Sequence, residues 1–212
     1  MEHQTMTTIG FNALDTSATS IGGSMHWYSA HELGHHWFGN EVTCADWKDI
    51  WLNEGFASYA EYIALQNLRS QFEADEWMKN AHSEVLSNPS GSVFIPASLS
   101  NHADHIFDYR LTYKKGPAIL HMLRYEINND SVFYAILKNY LNTYSMQTAT
   151  FNDFKQTAET ISSLNLTTFF SQWYFGEGYP IFNLSWSQVN DTLNIQSVQT
   201  TSNSNTSLFQ TH

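Results

Sequence analysis

The sequence predicts a mainly α-helical chain with β structure confined to its two ends. Three observations lead there. Ile50, Phe56, Ala57, Ala60, Ile63, Ala64 and Leu68 recur at helical spacing, and comparable stretches follow further on. The run Gly176-Glu177-Gly178-Tyr179-Pro180 then breaks the helical pattern sharply, and beyond it the period falls to two. Finally, 42% of the 212 residues are apolar, with 14 Phe, 11 Tyr and 7 Trp, which is enough to fill a core.

The elements read in order as follows. Residues 1–23 are rich in Thr, Ser and Gly, and suggest an edge strand around Thr7-Thr8-Ile9 with a loop. Ser24 can cap a helix running through Phe38 and stopped at Gly39-Asn40. A second helix is expected from about Asp49 to Arg69, and a third over residues 71–87. Pro89, Gly91 and Pro96 mark a long surface loop reaching about Asp108. Four helical segments are expected near 111–128, 131–143, 151–162 and 166–175. From 181 onward, Phe182, Leu184 and Trp186 alternate with Ile181, Asn183 and Ser185. Leu193 to Val198 repeats the strand pattern across an Asn190-Asp191 turn. Strands are thus expected only in the first twenty-odd residues and from 181 onward. The domain division is 1–180 and 181–212.

The formal charge is −11, with nine Lys and Arg in all. Nucleic acid is therefore not an expected partner, because phosphate contacts need clustered cations. No apolar run approaches the roughly 20 residues of a transmembrane helix. A single cysteine, Cys44, excludes an internal disulfide and has no neighbouring cation to activate it, so it reads as packing.

Chemistry concentrates in His31-Glu32-Leu33-Gly34-His35 and in Glu54 of Trp51-Leu52-Asn53-Glu54-Gly55, with eighteen residues between His35 and Glu54. Histidines four apart on a helix share a face, their Cβ atoms roughly 5–6 Å apart. Both imidazoles can then reach one Zn²⁺ at about 2.0–2.1 Å. Glu32 points to the flank, where it can take a proton from water at the metal. Glu54, on the second helix, supplies the third ligand and leaves the fourth position open, as catalytic zinc requires. Glu61, seven residues after Glu54, reads first as a surface carboxylate, with a ligand-orienting position as the alternative.

The run from His31 to Glu61, with HELGHHW and WLNEGFA, resembles the gluzincin aminopeptidases, the group that includes aminopeptidase N and leukotriene A hydrolase. Tyr113-Lys114-Lys115-Gly116 resembles the Tyr-x-Lys-Gly segment of that family, and Met1-Glu2-His3 the end of its Gly-x-Met-Glu-Asn motif, with His3 replacing the usual Asn. The resemblance covers about residues 1–180. It implies the helical part of a thermolysin-like metallopeptidase catalytic domain, with a short N-terminal β remnant and the first strands of a C-terminal β-sandwich. On that basis the chain is expected to be an excised middle piece.

For the residues, the resemblance implies that Tyr113 stabilises the tetrahedral intermediate and that Glu2 binds the substrate's free amine. Taken without it, Tyr113 reads as a core aromatic and Glu2 as a solvated terminal residue. The implied activity is zinc-dependent removal of N-terminal residues from peptides, with one Zn²⁺ per chain and peptides bearing a free N-terminus as partners. The alternatives are a thermolysin-like endopeptidase and a non-catalytic interaction module on the same scaffold. An exported or periplasmic location is the expectation over a cytoplasmic one.

Overall fold

A computed structural model describes residues 3–8, 25–204 and 206–210, without the side chains of 25–27. The chain is mainly α, as the sequence predicts. Helix α1 (Met25–Gly34) leads through a turn to strand β1 (Val42–Cys44) and a 3₁₀ turn (Trp47–Asp49). Helices α2 (Trp51–Leu68), α3 (Gln71–Leu86) and the one-turn α4 (Ala103–Ile106) follow. A π-helical turn (Leu111–Lys115) runs straight into α5 (Gly116–Ile127), and α6 (Asp130–Thr143) comes next. Strand β2 (Gln147–Ala149), helices α7 (Phe151–Ser162) and α8 (Thr167–Trp173), and strands β3 (Pro180–Val189) and β4 (Thr192–Thr201) complete the order.

The caps that start these helices are local. Ser70 accepts from the Glu73 N–H, Asn129 from the Val132 N–H, and Thr150 with Asp153 forms a reciprocal capping box. Asp46 starts the 3₁₀ turn by accepting from the Lys48 N–H.

Helix α2 is the centre of the molecule. Every residue from Trp51 to Tyr59 is buried, because α1, α3, α5 and the π turn all pack on it. Around its first turns lies an aromatic cluster. Phe56 meets Phe154 edge-on at 4.9 Å, Trp51 meets Tyr174 at 5.0 Å, and Phe151 stacks on Tyr174 at 4.2 Å.

Two expectations are corrected and a third falls largely outside the described residues. Strands β1 and β2 pair in parallel, Val42 with Gln147 through Cys44 with Ala149, in a stretch where only helices and loops were expected. Their three-residue length carries no readable alternation, and their pairing depends on chain about a hundred residues away. The regular part of the first helix stops at Gly34, not Phe38. Beyond it the His36 and Trp37 N–H groups bond three residues back, and those of Asn40, Glu41 and Val42 five back. The expected N-terminal strand falls largely on residues outside the described set, and residues 3–8 form no strand.

The C-terminal hairpin turns at Asn190-Asp191, as expected. Pro180 pairs with Thr201 and Val189 with Thr192, and Asn190 takes a left-handed conformation (φ 53°) in the turn. Apolar side chains are exposed on both of its faces, Trp186 at 71%. Cys44 is half-buried against the core, and its N–H donates to Asn53 Oδ1 at 3.0 Å.

Candidate metal centre

Two helices meet where the chain has small residues. A Cβ added at Gly34 would lie 3.0 Å from Ala60 Cβ and 3.2 Å from Ala57 Cα, so α1 lies hard against α2. A Cβ added at Gly116 would lie 3.1 Å from Gly55 Cα, which sets the start of α5 on the first turn of α2. These contacts bring His31 from α1, His35 from the turn that continues it, Glu54 from α2 and Tyr113 from the π turn to one place. We expect Gly116→Ala to force that crossing apart and to destabilise the protein by about 1–3 kcal/mol, the usual range for overpacking. Chemical denaturation would measure it, and an unchanged midpoint would mean that the contact is slack.

The three expected ligands converge. His31 Nε2 lies 3.1 Å, and His35 Nε2 3.2 Å, from the same oxygen, Glu54 Oε2. Ligand atoms of His31, His35 and Glu54 all lie within 4.8 Å of one another. Donors about 2.0–2.1 Å from one ion at tetrahedral angles stand about 3.3 Å apart, so this spacing fits a zinc ion. His35 Nε2 is also buried without a hydrogen-bond partner, while its Nδ1 meets the Phe38 carbonyl at 3.0 Å. A histidine held at Nδ1 by a carbonyl presents its Nε2 lone pair outward, which is the tautomer a metal ligand needs.

His31 is held in the same way by a carboxylate. Its Nδ1 meets Glu61 Oε1 at 2.9 Å, with Ser58 Oγ at 3.4 Å. Glu61 is only 8% exposed, and Trp77 Nε1 donates to its other oxygen at 2.9 Å. The surface position favoured for Glu61 from sequence is therefore corrected. The face of α2 two turns after Glu54 is covered by α3 and not by solvent. The seven-residue spacing was the available signal, because it sets two carboxylates on one helical face.

Electrostatics follow from these contacts. Burial disfavours an ionised Glu54, but the hydrogen bond with His31 and the close approach of the His35 imidazole outweigh it and hold the pKa at about 2. Burial also disfavours a charged His31, yet the flanking Glu54 and Glu61 carboxylates raise its pKa to about 9. The site is thus built to hold positive charge between carboxylates.

Glu32 follows His31 on α1, and its Oε2 lies 3.4 Å from His3 Nδ1. This contact sets His3 against the residue that follows His31; Met1 and Glu2 lie outside the described residues. Tyr113 stands with its ring centroid 6.0 Å from that of His31. Lys115, in the same π turn, donates to the Gly91 and Gly176 carbonyls at 3.1 and 2.8 Å, tying that turn to two loops. His36 does not join the site: its Nε2 pairs with Thr7 Oγ1 at 3.4 Å.

Known proteins are similar to this chain in sequence and in fold. Aminopeptidase Q of Acinonyx jubatus is 34% identical over 172 residues, covering 74% of this chain and 17% of that protein. Aminopeptidase N of Homo sapiens is 33% identical over 177 residues, covering 74% and 18%. Aminopeptidase N of Lactococcus lactis is 32% identical over 170 residues, covering 77% and 20%. The chain therefore spans about a fifth of the length of these curated relatives. Among solved structures, an M1 zinc metallopeptidase from Deinococcus radiodurans superposes with a TM-score of 0.56 at 29% identity, covering 64% of this chain and 29% of that one. A mutant of that enzyme was solved with a Tyr-Ser-Ala substrate bound. A family model described as the Peptidase family M1 domain matches residues 1–173, and the chain belongs to that family.

Proposed function

We propose that this chain forms the metal-binding part of a zinc aminopeptidase, which cuts the first peptide bond of peptides bearing a free N-terminus. The observation that carries this reading is the meeting of the His31 and His35 Nε2 atoms on one Glu54 oxygen, with Glu32 next to His31 in the chain. Relatives named as aminopeptidases and neighbours named as zinc metallopeptidases support it.

His31, His35 and Glu54 would hold one Zn²⁺ per chain. When bound, the ion supplies Lewis acidity, lowering the pKa of water and polarising a carbonyl. Glu32 accepts a proton as water adds to the scissile carbonyl carbon, then passes it to the amine nitrogen as the C–N bond breaks. Tyr113 donates a hydrogen bond to the oxygen that gains negative charge, where such a donor acts most strongly. Glu61 and the Phe38 carbonyl keep the two imidazoles oriented.

Glu2 is proposed to pair with the substrate ammonium. Its support is the adjacent His3, which stands 3.4 Å from Glu32. The physical difference between a free N-terminus and an internal amide is one positive charge, and a carboxylate in a dry pocket reads it through a charge-assisted bond. An aminoacyl arylamide and its N-acetylated form would be compared in the full-length protein, wild type and Glu2→Ala. Strong wild-type preference for the free amine, collapsing in the variant, is the expected result. Equal cleavage of blocked and free substrates by the wild type would replace this reading with the endopeptidase one.

Residues 181–212 are proposed to open a separate β-rich domain after the catalytic part. The apolar residues exposed on both faces of the β3–β4 hairpin support it, because two strands alone are marginal in water.

A further inference from the structure

Two carboxylates reach His31 from opposite sides. Glu54 meets Nε2 at 3.1 Å and Glu61 meets Nδ1 at 2.9 Å. Both come from α2, two turns apart, and both are buried. Either could in principle turn toward a cation, since the two side chains are chemically identical. Something must hold one of them to the outer task.

Trp77 on α3 is placed to do so. Its ring is buried, and its Nε1 donates to Glu61 Oε2 at 2.9 Å while Oε1 faces His31. An indole has a single N–H and no acceptor, so this contact has one direction. It satisfies the carboxylate oxygen that His31 does not, and it fixes the plane of the group. Lys114, the residue after Tyr113, stands with its ammonium 5.0 Å above the Trp77 ring. A cation over the indole face draws electron density inward and leaves the N–H edge more positive, which strengthens the bond to Glu61.

We propose that Trp77 is a positioning residue of the metal centre. Its N–H commits Glu61 to His31 as an outer hydrogen-bond acceptor and so leaves Glu54 as the carboxylate ligand. The proposal rests on zinc being held by His31, His35 and Glu54.

The test uses the full-length protein and zinc itself as the probe. Trp77→Phe removes the N–H along with part of the ring. Benzothienylalanine incorporated at position 77 removes the N–H and keeps the ring's size. Zinc affinity is read by competition with a chromogenic chelator, alongside the unfolding temperature of the metal-free protein. With benzothienylalanine we expect affinity to fall about 10–100-fold, the usual effect of losing an outer-shell partner. Glu61→Gln should weaken zinc to a similar degree and add little further loss when combined with it, since both act on one bond.

Wild-type zinc affinity in the benzothienylalanine protein would overturn the proposal and leave Trp77 as core packing. A fall in unfolding temperature with zinc affinity unchanged would do the same. Undiminished zinc in Glu54→Ala would instead refute the metal assignment beneath it, so the two failures are distinguishable.

Discussion

Replacing Glu32 by glutamine in the full-length protein is expected to leave zinc bound and to lower kcat by at least about 10², the low end of general acid–base contributions. That is a loss of about 2.7 kcal/mol or more of transition-state stabilisation. The geometry gives the reason. Glu32 follows His31 on α1 and is not among the three groups that converge at the candidate metal centre. An amide has nearly the volume of a carboxylate but cannot accept the proton from water. Peptide cleavage followed at saturating substrate, together with elemental analysis, separates base from ligand. Wild-type turnover would remove Glu32 from the role of base. Lost zinc would move it into the ligand set.

Glu54→Ala should act on the metal itself. Both Nε2 atoms point at its oxygen, so its removal takes away the only carboxylate in the converging set among the described residues. Zinc affinity should fall by more than the roughly 10–100-fold that losing an outer-shell partner costs. The metal should also stabilise the fold by mass action. At a free zinc concentration of 1,000 times Kd the gain is about 4 kcal/mol. A chelator should therefore lower the unfolding temperature of the wild type markedly and that of Glu54→Ala little. Equal zinc content in the two proteins would exclude Glu54 as a ligand.

Much of the site was legible because its decisive spacings are local. His31 lies in the last turn of α1 and His35 follows in the turn after it, where its N–H still bonds to the His31 carbonyl at 3.1 Å, so the helical spacing of the pair holds wherever the helix lies. Glu32 is placed by being next to His31. The helix-breaking run at 176–180 and the alternation after it likewise announced the change from helix to hairpin, and β3 and β4 pair across the expected Asn190-Asp191 turn. Glu54 needed more, a short connection returning a second helix. The small residues Gly34, Ala57 and Ala60 make that approach possible at close range.

Other features depended on which surfaces meet. Glu61 read as a surface carboxylate because nothing in its neighbourhood says that α3 will cover it; burial then makes it the partner of His31. His3 stood as a departure from a family pattern, and its contact with Glu32 joins residues 29 positions apart in the chain. The β1–β2 pair joins residues 42–44 to 147–149 through six backbone positions with no period of their own.

The sequence by itself determined the helical class and the residues proposed to hold the metal and to accept the proton, because an α-helix converts spacing into direction without help from the rest of the chain. Only the tertiary structure decided which carboxylate faces Nε2 of His31 and which faces Nδ1. That choice rests on the crossing of α1 with α2 and on an indole N–H from α3. Hydrogen bonds of this kind are set within a few tenths of an ångström by packing, and packing belongs to the whole molecule.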